Sequence, residues 1–186
     1  VEARIAGDRS PQNAVAIREL LHVAPAARFV FTLRHPLDVA VSDIFHQIAI
    51  YRGNPQIFTG HRTLIPPLAE TLARGERLGP GSLDAPELVD TVIDWWCEYA
   101  CYLAHATTRY PARVHTVVYE QLIDEFEGTA AGLLAFLGLS ADAATLARIK
   151  AATRFEAFSG ARRPGEEDPA SFFRSGTSGN HRRYLS

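Results

Sequence analysis

The chain has 186 residues, 47% of them apolar and 22% charged, with a formal net charge of −2. That balance is ordinary for a globular protein with one good core, and it excludes a disordered chain and a protein wholly devoted to nucleic acid. No apolar run reaches the roughly 18 residues a spanning helix needs.

The opening "VEARIAGDRSPQ" has neither an initiator Met nor the apolar stretch of a signal peptide. It reads as a start partway through a longer protein, with a cytoplasmic setting. Ser10 and Pro11 read as the cap and first position of a helix, continued by Ala14, Ile17, Leu20 and Leu21 at helical spacing. "ARFVFTLR" (27–34) is a buried strand by its β-branched and aromatic content. Pro36 opens a helix with Leu37, Val41, Ile44, Phe45 and Ile48 on its apolar side. Residues 52–83, rich in Gly and Pro, read as an excursion with a helical piece around 67–74, a candidate lid or substrate loop. Asp84 and Glu87 look like a capping box for a long helix carrying Leu88, Val92, Trp96, Tyr99 and Leu103. Cys97 and Cys101 lie four apart on it, a spacing poor for a disulfide and without partners for a metal, so two reduced, partly buried thiols are expected. "RVHTVVYE" (113–120) is a second strand. A helix over Thr129–Leu137 is closed by Gly138, and Ser140 caps another running to about Ala152. Periodicity fades after Phe155, and "GARRPGEEDP" (160–169) reads as a polar loop. The helix, strand, helix rhythm predicts an α/β fold in one domain, residues 1–186.

The informative constellation is "RHPLDVAVS", residues 34–42. Arg34 ends a strand, Pro36 starts a helix, and Ser42 lies within the first two turns of that helix. A strand-end Arg beside a helix N-terminus offers positive charge next to unpaired backbone N–H groups, and a hydroxyl can reach the same anion. The other reading pairs Arg34 with Asp38 and leaves Ser42 as an incidental surface residue. These residues alone do not separate the two.

"RHPLDVAVS" resembles the 3′-phosphate-binding segment of the sulfotransferases that use 3′-phosphoadenosine 5′-phosphosulfate (PAPS): an Arg at a strand end, a Pro two residues on, a Ser eight residues after the Arg. "SD" at Ser42-Asp43 resembles the carbohydrate-type branch. "VHTVVYEQL" followed by "LLAFLGL" is similar to the family's strand ending in Tyr-Glu and its helix ending in Phe-Leu-Gly. "ATRFEAF" resembles the adenine-contacting Thr and Phe. "RSGTSGNHRR" resembles the C-terminal Arg-Lys-Gly-x-x-Gly-Asp-Trp-Lys loop, with Ser175 for Lys, Asn180 for Asp and His181 for Trp. The resemblance implies that Arg34, Ser42, Arg174 and the backbone at Ser175 and Gly176 hold the 3′-phosphate. By the same likeness Tyr119, Thr153 and Phe155 would contact the adenine. "RSGTS" also looks like the family's 5′-phosphosulfate loop, but "DPASFF" before it and "GNHRRYLS" after it supply neither apolar strand nor apolar helix.

If "RSGTS" is the C-terminal loop, no 5′ loop remains in the chain. The expectation is a P-loop-nucleotide-hydrolase-like sulfotransferase fold, a parallel sheet flanked by helices, lacking its N-terminal strand. "GDRSPQN" (7–13) resembles the Glu-Lys-Ser-Pro segment of carbohydrate- and tyrosine-type relatives, which would set Arg9 beside the transferred group; a plain helix cap is the alternative. The implied reaction moves a sulfuryl group from PAPS, as co-substrate, to an acceptor hydroxyl or amine, with no metal. The acceptor is a small molecule, carbohydrate or peptide, and the base is unassigned, with His46 and His61 nearest the expected substrate side. Two other readings stand beside this: a nucleotide-binding remnant without transfer, and a P-loop phosphotransferase. The last predicts a GK[ST] sequence, and none occurs.

Overall fold

A computed structural model describes residues 7, 8 and 11–186. A 3-10 turn over Pro11–Val15 leads into α1 (Ile17–Val23), then β1 (Phe29–Leu33), α2 (Pro36–Gly53), α3 (Ile65–Ala73) and α4 (Pro86–Arg109). β2 (Val114–Val118) follows, then α5 (Tyr119–Asp124), α6 (Phe126–Leu137) and α7 (Ala143–Thr153), with 3-10 turns at Phe155–Ala157 and Asn180–Arg183.

β1 and β2 pair in parallel, Phe29 opposite Val114 through to Leu33 opposite Val118. A parallel pair cannot be closed by a tight turn, and here α2, α3 and α4 make the crossover. One face of this pair packs on α1 and α4: Ile17, Leu103, Ala106 and Val114 form a buried cluster, with Phe29, Phe31 and Leu33 against it. On the other face α6 covers β2, where Phe136 stacks on His115 with ring centroids 5.0 Å apart.

The larger core sits on α2. Val41, Ile44, Phe45 and Ile48 recur at spacings of three and four, so one stripe of the helix turns inward. They pack with Phe58, Ile65, Ala69, Leu83 and Leu88, and with Tyr184 from the end of the chain. Tyr184 meets Phe45 edge-on at 5.2 Å. The tail is thus part of the core rather than a solvated extension.

Several local expectations change. The first helical stretch divides into the 3-10 turn and α1, with Ala16 between them; Ser10 lies outside the described residues. Asp84 does not cap α4, whose N-cap is Ala85; its carboxylate accepts instead from the Ser186 backbone N–H at 3.0 Å and from the Ser186 hydroxyl. Asp142, not Ser140, caps α7, accepting from the Thr145 N–H, while the Ser140 hydroxyl donates to Asp142. α6 starts at Phe126, three residues before Thr129. Gly138 closes it in the left-handed region, as expected. Cys97 and Cys101 are free and exposed rather than partly buried. The buried stripe of α4 runs through Leu88, Val92, Leu103 and Ala106, which turns both thiols and Tyr99 toward solvent.

Candidate anion and nucleotide site

The parallel register builds the site. Because Leu33 stands opposite Val118, the residues that follow, Arg34 and Tyr119, leave the same edge of the sheet side by side. The Arg34 guanidinium lies over the Tyr119 ring, 4.7 Å from its centroid. This is the carboxyl end of both strands, the end at which open α/β sheets take their ligands. Two further contacts fix the turn into α2. Trp96 Nε1 donates to the Arg34 carbonyl at 2.9 Å, and the His35 N–H donates to Glu120 Oε1 at 3.0 Å.

A cavity of about 630 Å³ opens here, a size that suits a small-molecule ligand. Seven of the sequence-predicted residues line it: Arg34, Ser42, Tyr119, Phe155, Arg174, Ser175 and Gly176. They come from the β1–α2 turn, α2, the start of α5, the turn after α7 and the tail. Thr153 stands apart, exposed at the end of α7, its hydroxyl donating to the Ile149 carbonyl at 2.8 Å. Arg9 lies outside the described residues. His46, Phe172 and Phe173 complete an aromatic flank of the cavity; His61 is not among the residues that line it.

The polar groups divide into engaged and free. Arg34 Nη2 reaches the Thr177 carbonyl at 3.4 Å and stands 3.9 Å from Asp38 Oδ2, whereas its Nε is buried with no hydrogen-bond partner. Ser42 is exposed on the cavity wall. Arg174 is held: it pairs with Glu167, contacts the Tyr184 hydroxyl at 3.3 Å, and lies over the Phe45 ring at 4.3 Å. Burial, followed by the neighbouring Glu167 carboxylate, pushes the Tyr184 phenol well above its ordinary pKa.

Gly176 has a structural reason to be glycine. Its φ is +65°, and a Cβ there would come within 3.0 Å of three atoms of the Phe155 ring. The loop therefore lies directly against an aromatic face that also lines the cavity. Asn180 braces it from behind, its Nδ2 donating to the Ser175 hydroxyl and to the Thr177 carbonyl, the latter at 2.9 Å.

Asp38 is the residue whose role local sequence did not reveal. It lies in the first turn of α2 and is fully buried. Its carboxylate accepts from the Gly179 N–H at 2.6 Å and the His181 N–H at 2.9 Å, and contacts His181 Nδ1 at 2.9 Å. Burial pushes this carboxyl's pKa up, but the hydrogen bonds from His181 and Gly179, with the Arg34 charge, outweigh it and hold the pKa below the ordinary Asp value.

The model of the sulfotransferase family matches residues 1–143 of the chain, more than three quarters of its length. The protein belongs to the sulfotransferase family. Searches of curated proteins and of solved structures returned no match. Arg34, Ser42 and Tyr119 of this sulfotransferase fall inside the matched span, while Phe155 and Arg174 to Gly176 fall beyond it. Among the described residues, no three His, Cys, Asp or Glu side chains gather as metal ligands, and no helix is long and apolar enough to cross a membrane.

Proposed function

We propose that the cavity at the carboxyl end of β1 and β2 holds the 3′-phosphoadenosine end of PAPS, and that the protein transfers its sulfuryl group to an acceptor hydroxyl or amine. The observation that carries this reading is Arg34. Its side chain keeps partial exposure on the wall of a cavity shared with Ser42 and the 175–177 loop. Its nearest carboxylate, Asp38, stands 3.9 Å away and is engaged by the tail, an arrangement suited to an anion. A guanidinium so placed can donate a charge-assisted hydrogen bond to a phosphate oxygen entering the cavity. Tyr119 and Phe155 supply flat faces on the same wall, suited to a base.

In the reaction, the acceptor oxygen or nitrogen bonds to sulfur as the bond from sulfur to the 5′-phosphate oxygen breaks. The acceptor proton leaves to a base, and 3′-phosphoadenosine 5′-phosphate departs. Positioning and positive charge carry such in-line transfers. The residues described here would contribute the positioning, by fixing the nucleotide through its 3′-phosphate.

Isothermal titration with 3′-phosphoadenosine 5′-phosphate, with AMP beside it, tests the reading. A clear preference for the 3′-phosphate is expected, and Arg34→Ala should weaken that ligand at least tenfold, as loss of a desolvated charged hydrogen bond does. Equal affinity for the two nucleotides, or an unaffected Arg34→Ala variant, would overturn it. Incubation with PAPS and a panel of phenols, sugars and amines then reads transfer directly. Binding without transfer would favour a nucleotide-binding role.

A further inference from the structure

The loop over the anion site belongs to the tail, and one buried carboxylate holds it there. We infer that Asp38 is a positioning residue: it latches residues 175–181 across the start of α2 and so completes the site around Arg34. The inference rests on the 3′-phosphate reading above.

Three features support it. Asp38 has no solvent exposure at its side chain, and all of its hydrogen-bond donors come from the tail, at Gly179 and His181. The carboxylate is therefore not a surface charge that happens to lie near Arg34. Second, the segment it pins carries Ser175, Gly176 and Thr177, which line the cavity, and the Thr177 carbonyl, which accepts from Arg34. Third, the latch is doubled by stacking. The His181 ring lies on the His35 ring with centroids 4.6 Å apart and planes 3° apart, and His35 immediately follows Arg34. One carboxylate thus fixes the position of the loop and, at 3.9 Å from Nη2, restrains the guanidinium from turning away.

A carboxylate in the first turn of a helix is also favourably placed against the helix dipole. What distinguishes Asp38 is that it leaves α2's own N–H groups uncapped and turns to the tail. The groups that face it are the Arg34 guanidinium from the strand end and the His181 ring from the tail.

The test titrates wild type, Asp38→Asn and His181→Ala with 3′-phosphoadenosine 5′-phosphate and with AMP, alongside limited trypsin digestion at Arg182 and Arg183. Asp38→Asn should lose about tenfold in affinity for the 3′-phosphorylated nucleotide while AMP affinity changes less than twofold. Cleavage at the tail arginines should accelerate while the rest of the chain resists trypsin as before. His181→Ala keeps both backbone donors and should lose only about threefold. It decides the matter if Asp38→Asn fails to fold: an unchanged preference in His181→Ala would then overturn the latch. Retained preference in a folded Asp38→Asn, or equal loss for both nucleotides, overturns it directly. If wild type itself shows no 3′-phosphate preference, the parent reading fails instead, and the two failures are told apart by that one arm.

Discussion

Gly176 and Gly179 both lie in the left-handed region, at φ +65° and +73°, three residues apart on the same loop. Their surroundings differ. A Cβ at Gly176 would collide with the Phe155 ring, whereas one at Gly179 would meet nothing within 4 Å. Alanine at Gly179 therefore carries only the backbone penalty, about 1 kcal/mol. Alanine at Gly176 adds a clash that either pushes Phe155 off the cavity wall or lifts the loop. Gly176→Ala is expected to cost about 2–3 kcal/mol in denaturant unfolding and to weaken nucleotide binding, while Gly179→Ala costs about 1 kcal/mol and binds nearly as wild type. Equal effects would show that the Phe155 contact does not matter to the site. Here a residue type read from the sequence as a loop match acquires a physical reason: the ring it must approach.

At the scale of elements, the polar loop between the last helix and the tail supplies a competitor for Arg174. Glu167 pairs with Arg174 and also approaches Arg183 at 3.5 Å, and the Arg174 side chain is only 9% exposed. Removing one partner of a buried pair strands the other charge, at a cost of about 3–5 kcal/mol when nothing replaces it. Glu167→Gln should therefore lower stability without nucleotide, by about 3 kcal/mol. If Arg174 also serves the 3′-phosphate, the phosphate supplies the missing counter-charge. The rise in melting temperature on adding 3′-phosphoadenosine 5′-phosphate should then be larger in Glu167→Gln than in wild type. An equal rise in the two proteins would leave Arg174 a structural residue only. The local reading of 160–169 as a polar loop was sound as far as it went. It had no means of seeing that the next elements fold back so that Glu167 faces Arg174.

Across the whole molecule, legibility followed sequence separation. The strand at 29–33, the helix opened by Pro36 and the left-handed stop at Gly138 were readable because their signals are local: β-branched runs, a fixed φ, a glycine at a helix end. The gathering of Arg34, Tyr119 and Phe155 came from family resemblance, and the parallel register supplies the physical basis for the first two. Asp38 was visible only as a neighbour of Arg34, because its partners lie about 140 positions away. No periodicity marks such a contact, just as none marks Asp84 receiving the Ser186 N–H. The tail is anchored at both Asp38 and the Tyr184 core, and the Asp38 anchor makes its closure depend on pH with a definite sign. The folded pKa of Asp38 lies below the ordinary value of about 3.9. The latch's contribution is therefore fully present above that value and is lost as pH falls through the folded pKa. Amide hydrogen exchange over residues 175–186, corrected for its intrinsic pH dependence, should show constant protection from about pH 8 to pH 5 and a steep loss only below about pH 4. In Asp38→Asn the same amides should exchange faster throughout, without that acid step. A wild-type loss centred near pH 6 would instead assign closure to an imidazole, and the stacked pair of His35 and His181 would become the group controlling the tail.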